Sequence, residues 1–368
     1  MKISIFKIGG SILSSKNSYI NISSYIKDYL EENDENLFIV VSAIKGATDL
    51  LIDYCDKGNE DSLKKFVNLY EQISTSFDNK NLINEIKERI DKLMKITNEA
   101  NVNIALKDYI VSYGEKLSKI IMKYALNYND IDVETLDADK IIITNNNYGD
   151  PSIDLIETKK ALNKSKINKK VFLIEGFIGR SYDNNVTTLG RGGSDYTASS
   201  LAYLLNAEKL YLVTDVPGIF SSDPKIVKNP KIVKRLSFEE AIEASKYKVK
   251  GINYKTFYPL LKTNVNVYVG MPNNYNTLIN NNTYYNGYAK LIGYKENGID
   301  KLVGLIGEGM NKEDIINEVN EMLKNKYDEL IIEKNDTRPS LSIYIKNYNF
   351  YELLNSIHDK FIGDYKWN

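Results

Sequence analysis

The chain is poor in the residue types on which several common mechanisms depend. Its 368 residues include one cysteine, Cys55, and one histidine, His358. A single cysteine excludes a disulfide within the chain, and the scarcity of both residue types argues against a zinc site. It also argues against Ser-His-Asp or Cys-His nucleophilic catalysis, because the single imidazole lies close to the end of the sequence. We therefore expect any general base to be a carboxylate or a lysine.

Long apolar runs and an excess of one charge are also missing. No apolar run approaches the roughly 18 residues of a membrane-spanning helix. Lys7 and the Gly9-Gly10 pair interrupt the first apolar stretch too early for a secretory signal. The 48 basic and 49 acidic residues leave no basic surface for nucleic acid or an anionic membrane. These absences predict a cytoplasmic protein with neither nucleic acid nor membrane as a partner.

Short β-branched runs alternate with helical stretches over most of the chain. This alternation predicts an α/β fold, a mostly parallel open sheet sandwiched by helices. The predicted strands are 3–8, 37–41, 140–144, 171–174, 210–213 and 265–269. Residues 61–126 have only helical patterns, which predicts a helical lobe over about 50–127. Residues 272–287, rich in Asn and Tyr, predict a linker.

The pattern changes after the predicted linker. Strands are predicted at 301–306, 329–333 and 341–345, and helices at 313–323 and 350–361. This β-α-β-β-α order resembles a small ferredoxin-like α+β module. We therefore predict two domains, 1–284 and 285–368.

Residues 187–196, with the sequence T-T-L-G-R-G-G-S-D-Y, are the most informative segment. Their glycines precede a predicted helix, so backbone N–H groups can approach an anion at a helix N-terminus. Arg191 adds a planar fork that suits a carboxylate or phosphate. A simpler interpretation is a tight turn with a helix cap at Ser194 or Asp195.

Four further segments carry polar residues and glycines: 7–12, 41–48, 112–118 and 214–225. Three of them follow predicted strands, and open α/β sheets bind ligands at the carboxyl ends of their strands. In the first segment Lys7 precedes the glycines, unlike the lysine of a P-loop, and a plain strand-to-turn interpretation is equally open. Glu115 in the third segment could equally be a solvated helix residue.

Together the five segments resemble the amino-acid kinase superfamily and, within it, the aspartate kinases. Residues 7–11 (K-I-G-G-S) resemble the family's K-F-G-G-[ST] opening, and 41–43 resemble its V-S-A loop. Residues 112–118 resemble S-x-G-E-x-[LM]-S, and 187–198 are almost identical to T-T-L-G-R-G-G-S-D-Y-T-A. Residues 214–225 resemble T-D-V-x-G-[IV]-x-[ST]-x-D-P-[RK].

The resemblance implies transfer of the γ-phosphoryl group of ATP to the β-carboxylate of L-aspartate, giving 4-phospho-L-aspartate. This reaction begins the pathway to lysine, threonine and methionine. ATP and Mg²⁺ are the implied cofactors, with Mg²⁺ held mainly through the nucleotide phosphates. The acceptor carboxylate is already ionised at neutral pH, so the scarcity of histidine is no obstacle. Catalysis then depends on placing the substrates and neutralising charge on the phosphoryl group.

The resemblance also implies three groups of site residues. Lys7 lies on the transferring phosphate, and Asp195 orients it. Arg191 binds the α-carboxylate of aspartate and Glu115 its ammonium group. The remaining substrate-binding residues are Ser42, Thr48 and Ser194. The implied nucleotide- or phosphate-binding residues are Gly9, Gly10, Ser11, Gly192, Gly193, Thr214, Asp215, Phe220, Asp223, Lys225 and Lys250.

The chain departs from the family pattern in two places. Ile12 replaces a hydroxyl residue, and Lys248, Asn253 and Tyr254 replace a glycine, a histidine and a proline around Lys250. The C-terminal part is also short: residues 285–368 resemble one reduced ACT regulatory module, where the family usually has two. A strand at 289–296 resembles a remnant of the missing module. The resemblance predicts a homodimer formed through the remaining one.

Two alternatives to aspartate kinase remain at this stage. Other kinases of the superfamily act on N-acetylglutamate, glutamate or a nucleoside monophosphate. A carboxylate at position 115 argues against an acylated amine, because a blocked nitrogen forms no ion pair. The other alternative is a non-catalytic relative that senses a nucleotide or amino acid. The joint presence of Lys7, Glu115, Arg191 and Asp195 argues against that alternative.

Overall fold

The structure is a computed structural model. It describes residues 2–99, 102–165, 169–283, 288–297, 300–323, 330–334, 337–346 and 350–362. The chain forms two compact units, Met1–Asp215 and Val216–Asn368. The domain division between residues 284 and 285 stays a prediction.

The first unit alternates strands and helices. Its strands are β1 (Ile3–Ile8), β2 (Asn36–Val41), β3 (Glu134–Leu136), β4 (Ile143–Thr144), β5 (Val171–Glu175), β6 (Ile178–Ser181), β7 (Val186–Thr188) and β8 (Lys209–Val213). Its helices are α1 (Lys16–Glu32), α2 (Ala47–Lys57), α3 (Glu60–Ser76), α4 (Lys80–Glu99), α5 (Ile104–Val111), α6 (Tyr113–Tyr128), α7 (Ala138–Ile141), α8 (Leu155–Lys164) and α9 (Gly193–Leu204), with a 3-10 turn at Gly10–Ile12.

The second unit begins with short elements and ends in an antiparallel sheet. Its strands are β9 (Arg235–Ser237), β10 (Asn266–Met271), β11 (Asn274–Asn280), β12 (Leu291–Asn297), β13 (Asp300–Ile306), β14 (Leu330–Lys334) and β15 (Ser340–Lys346). Its helices are α10 (Phe238–Lys246), α11 (Tyr254–Phe257), α12 (Glu313–Leu323) and α13 (Phe350–Phe361), with a 3-10 turn at Tyr258–Leu260.

The central sheet of the first unit is parallel, as the sequence predicts. Its strands lie in the order β3-β5-β2-β1-β8, and each neighbouring pair is parallel. Every residue of β5 is buried, as is most of β2, because helices cover the sheet. Helix α6 packs against β2 and β5, and α9 packs against β1, β2 and β8. The predicted helical region 61–126 is also confirmed: it contains α4, α5 and most of α3 and α6.

Five of the six predicted strands are present, and the one at 140–144 is wrong. That stretch forms the end of α7 and the two-residue strand β4. Ile141 and Ile142 are buried in this arrangement. A short apolar run is compatible with a helix or a strand, so its composition did not discriminate between them. The antiparallel hairpin of β6 and β7, which lies between β5 and the glycine-rich segment, was not predicted.

The predicted linker at 272–287 is wrong over residues 274–280. These residues form β11, which pairs antiparallel with β10. Asn273 lies in the hairpin turn with φ of 60°, and asparagine tolerates this left-handed conformation better than most residues. The asparagine content that suggested a linker is therefore compatible with a hairpin turn. Residues 284–287 lie outside the described residues.

The C-terminal sheet has the order β12-β13-β15-β14 and is antiparallel throughout. The helices predicted at 313–323 and 350–361 match α12 and α13. Their apolar stripes and the inward face of the sheet share one core that includes Val303, Ile343, Val319 and Leu354. The strand predicted at 289–296 corresponds to β12. Because β12 pairs with β13 from Leu291 to Asn297, it belongs to this sheet and not to a separate module.

A buried ion pair joins α10 to the residue before β12. Lys290 is 1% exposed, and its Nζ lies 2.7 Å from Oε2 of Glu240. The same carboxylate accepts hydrogen bonds from the backbone N–H groups of Ser237 and Glu308. Removing one partner leaves the other charge buried and uncompensated, which is strongly destabilising.

We therefore expect Lys290→Met to lower the free energy of unfolding by about 3–5 kcal/mol. Urea unfolding followed by circular dichroism measures this change. Lys360→Ala is the matched control, since Lys360 pairs with Glu318 in exposed positions and should contribute little. Equal effects of the two substitutions would contradict a stabilising role for the buried pair.

Candidate active site

The loops that follow the central strands are joined at one edge of the sheet. The N–H of Gly9 donates to the carbonyl of Val213 at 3.0 Å, and the N–H of Ser42 donates to that of Ile8 at 3.1 Å. Strand β1 lies between β2 and β8. The strands that follow β1 in the chain, β2, β3 and β5, lie on one side of it, whereas β8 lies on the other, so the strand order reverses at β1. Such a switch point opens a crevice at the carboxyl ends of the strands. The segments after β1, β2 and β8 therefore meet where an α/β sheet binds ligands.

The glycine pair after β1 permits close backbone packing. A Cβ atom on Gly10 would lie 2.1 Å from the carbonyl oxygen of Ala43, and one on Gly9 would lie 2.9 Å from that of Val213. Real Cβ atoms do not approach other atoms so closely, so both positions require glycine. The 3-10 turn that follows contains Ser11.

Lys7 forms an ion pair with Asp195 beside these glycines. The Nζ atom lies 2.7 Å from Oδ1 of Asp195, and the two side chains are 12% and 24% exposed. Asp195 lies in the first turn of α9, whose N-cap is Gly192. The alternative interpretation of this segment, a helix cap at Ser194 or Asp195, is therefore wrong. Gly192 has φ of 71°, which only glycine adopts easily, and the Asp195 carboxylate pairs with Lys7.

The glycine-rich segment packs closely on the turn after β5. A Cβ atom on Gly193 would lie 2.7 Å from the ring of Phe177, and one on Gly176 would lie 2.5 Å from the Cβ of Ser194. Phe177 itself has φ of 66°, an unfavourable value for a residue with a side chain. The N–H of Phe177 donates to the hydroxyl of Thr197 at 3.1 Å. Contacts on both sides thus fix the start of α9, including Ser194.

Asp108 in α5 braces the strand that leads to Arg191, a role that the sequence analysis missed. Asp108 is 2% exposed and accepts hydrogen bonds from the backbone and hydroxyl of Thr188, at 2.9 and 2.7 Å. It also accepts one from the N–H of Gly149. Burial raises the pKa of Asp108. The one available signal was a carboxylate that precedes the apolar residues 109–111 within the predicted helical region.

Glu115 is buried at the start of α6, so the solvated alternative for this residue is wrong. It is 3% exposed. Its Oε1 accepts a hydrogen bond from the N–H of Ala43 at 3.2 Å, whereas its Oε2 is buried without a hydrogen-bond partner. Burial, with a smaller contribution from the charge of Glu175, raises the pKa of Glu115 to about 8. A buried carboxylate with one unpaired oxygen is suited to a cationic ligand.

Residues 42–48 are held against the start of α6. The hydroxyl of Tyr70 donates to the carbonyl of Gly114 at 2.7 Å and accepts from the N–H of Ile44 at 3.3 Å. A Cβ atom on Gly114 would lie 2.8 Å from that of Ala43. The arrangement brings the loop that contains Ser42 to Glu115, and Thr48 lies in the first turn of α2. Tyr70 had no signal in the sequence beyond its apolar helical pattern.

The end of β8 is connected to the turn after β1. The hydroxyl of Thr214 donates to Oδ1 of Asp215 at 3.2 Å. Partial burial acts to raise the pKa of Asp215, but the side chains of Ser11 and Thr214 favour the charged form and hold the pKa below its usual value. Asp215 is thus ionised at neutral pH beside the glycine pair.

The second unit contains the other four predicted site residues, Phe220, Asp223, Lys225 and Lys250. The carboxylate of Asp223 lies 2.7 Å from Nζ of Lys250 and accepts the N–H of Lys225 at 3.0 Å. These contacts outweigh burial and lower the pKa of Asp223. Phe220 is half-buried and the Lys225 side chain is exposed.

The altered loop around Lys250 keeps its turn. Lys248 has φ of 53°, a left-handed value, at the position where the family pattern has glycine. The Asn253 side chain caps α11 by accepting the N–H of Lys255 at 2.9 Å. The substituted residues thus form a turn and a helix start before and after Lys250 without the family's glycine or proline.

Two kinds of site are absent from the described residues. Within the described ranges, no group of three or more His, Cys, Asp or Glu side chains is arranged to hold a metal ion. In the same part of the chain, none of the helices has the length and apolar character needed to cross a membrane.

Comparison with known proteins decides the family. The sequence pattern of the amino acid kinase family matches residues 2–270 of the 368. The chain belongs to this family. Among curated members, it is 32% identical over 249 residues to the lysine-sensitive aspartokinase 3 of Escherichia coli, a match that covers 65% of this chain and 56% of the relative. It spans 35–59% of the length of three such amino acid kinase relatives.

Solved structures of the family confirm the predicted fold class. E. coli aspartokinase III in complex with lysine and aspartate superposes with a TM-score of 0.79 at 21% identity, covering 98% of this chain and 100% of that one. The same enzyme in complex with aspartate and ADP has a TM-score of 0.74 at 25% identity, covering 98% of this chain and 84% of that one. The mostly parallel sheet flanked by helices, with an antiparallel sheet after it, is therefore an aspartokinase-like architecture.

Proposed function

We propose that this amino acid kinase is an aspartate kinase that transfers the γ-phosphoryl group of MgATP to the β-carboxylate of L-aspartate. The observation that carries the proposal is the buried carboxylate of Glu115 with its unpaired Oε2. An unpaired buried polar atom is costly, and a ligand ammonium group would provide the missing partner. An acylated amine, such as that of N-acetylglutamate, carries no charge and would not.

The phosphoryl group would lie by Lys7 in the crevice at the end of β1. Lys7 supplies positive charge, and its ion pair with Asp195 at 2.7 Å supports the predicted positioning role of that aspartate. The backbone N–H groups of the two glycine pairs, at 9–10 and 192–193, would stabilise phosphate oxygens at the turn and at the N-terminus of α9. No proton transfer is needed, because the attacking carboxylate is ionised.

The nucleotide would be held by the residues after β8. We assign Thr214, Asp215, Phe220, Asp223 and Lys225 to it, with Lys250 beside Asp223. The structural relative in complex with aspartate and ADP supports nucleotide use. Mg²⁺ commonly binds through nucleotide phosphates and one or two carboxylates, and the ionised Asp215 beside Ser11 fits that donor set. When bound, Mg²⁺ would neutralise phosphate charge. The cytoplasmic location, the regulatory role of residues 285–368 and the homodimer stay predictions.

A coupled assay for ADP release tests the proposed function. We expect release to depend on L-aspartate, and hydroxylamine should trap the acyl phosphate as a hydroxamate. Parallel assays with glutamate, N-acetylglutamate and uridine monophosphate distinguish the other kinase alternatives. Bound ATP without turnover on any of these acceptors would favour the non-catalytic sensor.

Arg191 provides a test of the substrate orientation. We expect Arg191→Ala to raise the KM for aspartate by roughly 10- to 100-fold, because it removes charge-assisted hydrogen bonds to the α-carboxylate. Steady-state kinetics at saturating ATP measures this change. Arg180→Ala is the matched control, since Arg180 lies in β6 and bonds to Asn184. An unchanged KM in Arg191→Ala would remove Arg191 from the aspartate site.

A further inference from the structure

The proposed nucleotide residues Asp223 and Lys225 lie in an irregular segment, residues 219–228. Its internal structure is one turn, in which the N–H groups of Ile226 and Val227 donate to the carbonyl of Asp223. Such a short turn has little stability of its own. The contacts that fix the segment must therefore come from other elements.

Helix α13, far along the chain, contacts the segment at two points. The Nε2 atom of His358 lies 2.8 Å from the hydroxyl of Ser221. The Asn355 side chain accepts the N–H of Lys228 at 3.1 Å and donates to the carbonyl of Ile226 at 3.0 Å. Asn355 and His358 are three residues apart, so they share one face of the helix.

Further contacts within the second unit hold the segment at both points. The N–H of Ile292 in β12 donates to the carbonyl of Ser221 at 2.7 Å. Val227 is 1% exposed and belongs to the same apolar core as Leu354 and Ile357 of α13. The segment is thus clamped at Ser221 on one side and at 226–228 on the other, and Asp223 and Lys225 lie between the clamps.

We propose that Asn355 and His358 are positioning residues for nucleotide binding. They hold residues 221–228 in the conformation that presents Asp223 and Lys225 to the nucleotide. This inference rests on the proposed function for the identity of the nucleotide-binding segment. Through these residues, helix α13 would affect the affinity for ATP even when no regulatory ligand is bound.

The test separates nucleotide affinity from aspartate affinity. In Asn355→Ala and in His358→Leu we expect the KM for ATP to rise by about 3- to 10-fold, the effect of one or two lost hydrogen bonds. The KM for aspartate at saturating ATP should change little in both variants, and the melting temperature of Asn355→Ala should change little because Asn355 is only half-buried. Titration of the full chain with a non-hydrolysable ATP analogue should give the same loss of affinity without turnover.

Two controls exclude a merely structural role. His358→Gln retains an amide that can bond to Ser221, so it should recover most of the ATP affinity lost in His358→Leu. Lys360→Ala alters the same helix at its contact with Glu318 and should leave both KM values unchanged. If His358→Leu fails to fold, Asn355→Ala decides the outcome, because Asn355 is only half-buried.

The results distinguish this inference from the proposed function. An active wild type with an unchanged ATP KM in folded Asn355→Ala would overturn the inference. So would equal increases in both KM values together with a lower melting temperature. If the wild type shows no aspartate-dependent ADP release but the variants still bind the ATP analogue more weakly, the proposed function fails and the positioning role stands.

Discussion

Replacing Lys7 with methionine is expected to lower kcat by roughly 10²- to 10³-fold, the usual cost of removing one group that stabilises transition-state charge. The Lys7 ammonium group is the cation that lies over the glycine pair after β1, 3.4 Å from the position of a Cβ on Gly9. Without this ammonium group, the negative charge on the transferring phosphoryl group would lose its nearby positive charge. Because the loss arises in the transition state, kcat and kcat/KM should fall together.

Two further variants test the role of Lys7. Lys2→Met removes an exposed lysine that pairs with Glu208 just before the same strand, and its activity should equal that of the wild type. Asp195→Asn keeps Lys7 but weakens the ion pair that orients it, so an intermediate loss of kcat is expected. Full activity of a correctly folded Lys7→Met variant would remove Lys7 from the reaction.

Aspartate binding is expected to strengthen as pH rises from 6 to 8. Glu115 has a pKa of about 8 and is therefore mostly protonated at neutral pH in the free protein. Binding an ammonium group requires its carboxylate, so aspartate binding must release a proton. Below the pKa the KM for aspartate should fall by about tenfold for each unit of rising pH, and it should level off above pH 8. Steady-state kinetics at saturating ATP from pH 6 to 9 measures this dependence.

The variant Glu115→Gln tests whether Glu115 is the group whose titration changes the KM for aspartate. The variant should bind aspartate weakly at every pH, with the slope between pH 6 and 8 lost. Arg191→Ala should bind weakly but keep the slope, because its Glu115 still titrates. A wild-type KM that is independent of pH in this range would contradict the assignment of Glu115 to the ammonium group.

The same raised pKa has a consequence for stability without ligand. The folded state keeps the Glu115 proton up to about pH 8, whereas the unfolded chain loses it near the ordinary value of 4.5. The stability that protonation confers is thus fully present below about pH 4.5. It is lost as pH rises towards 8, because the unfolded state then binds fewer protons than the folded state. Glu115→Gln should lack this decline.

Local patterns in the sequence predicted most of the elements. The β-branched runs at β1, β2, β5 and β8, and the apolar stripes of α12 and α13, depend on periodicities that a short window contains. The run at 140–144 failed because an apolar stretch of a few residues is compatible with a helix or a strand. The alternative of a helix cap at Ser194 or Asp195 failed for another reason, because Gly192 is the N-cap of α9 and the Asp195 carboxylate pairs with Lys7.

By itself, the sequence determined the fold class and the residues that carry the proposed chemistry. Each of the residues Lys7, Glu115 and Arg191, and each of the glycines, belongs to a short contiguous motif. Such a motif can be recognised in the sequence without knowledge of the fold. The tertiary structure alone decided which distant residues form hydrogen bonds with one another: Tyr70 bonds to a residue 44 positions away, Asp108 to one 80 away, and His358 to one 137 away. It also decided that Glu115 is buried with an unpaired oxygen. Such pairings and burial depend on how distant segments pack together, which no local pattern of residue types encodes.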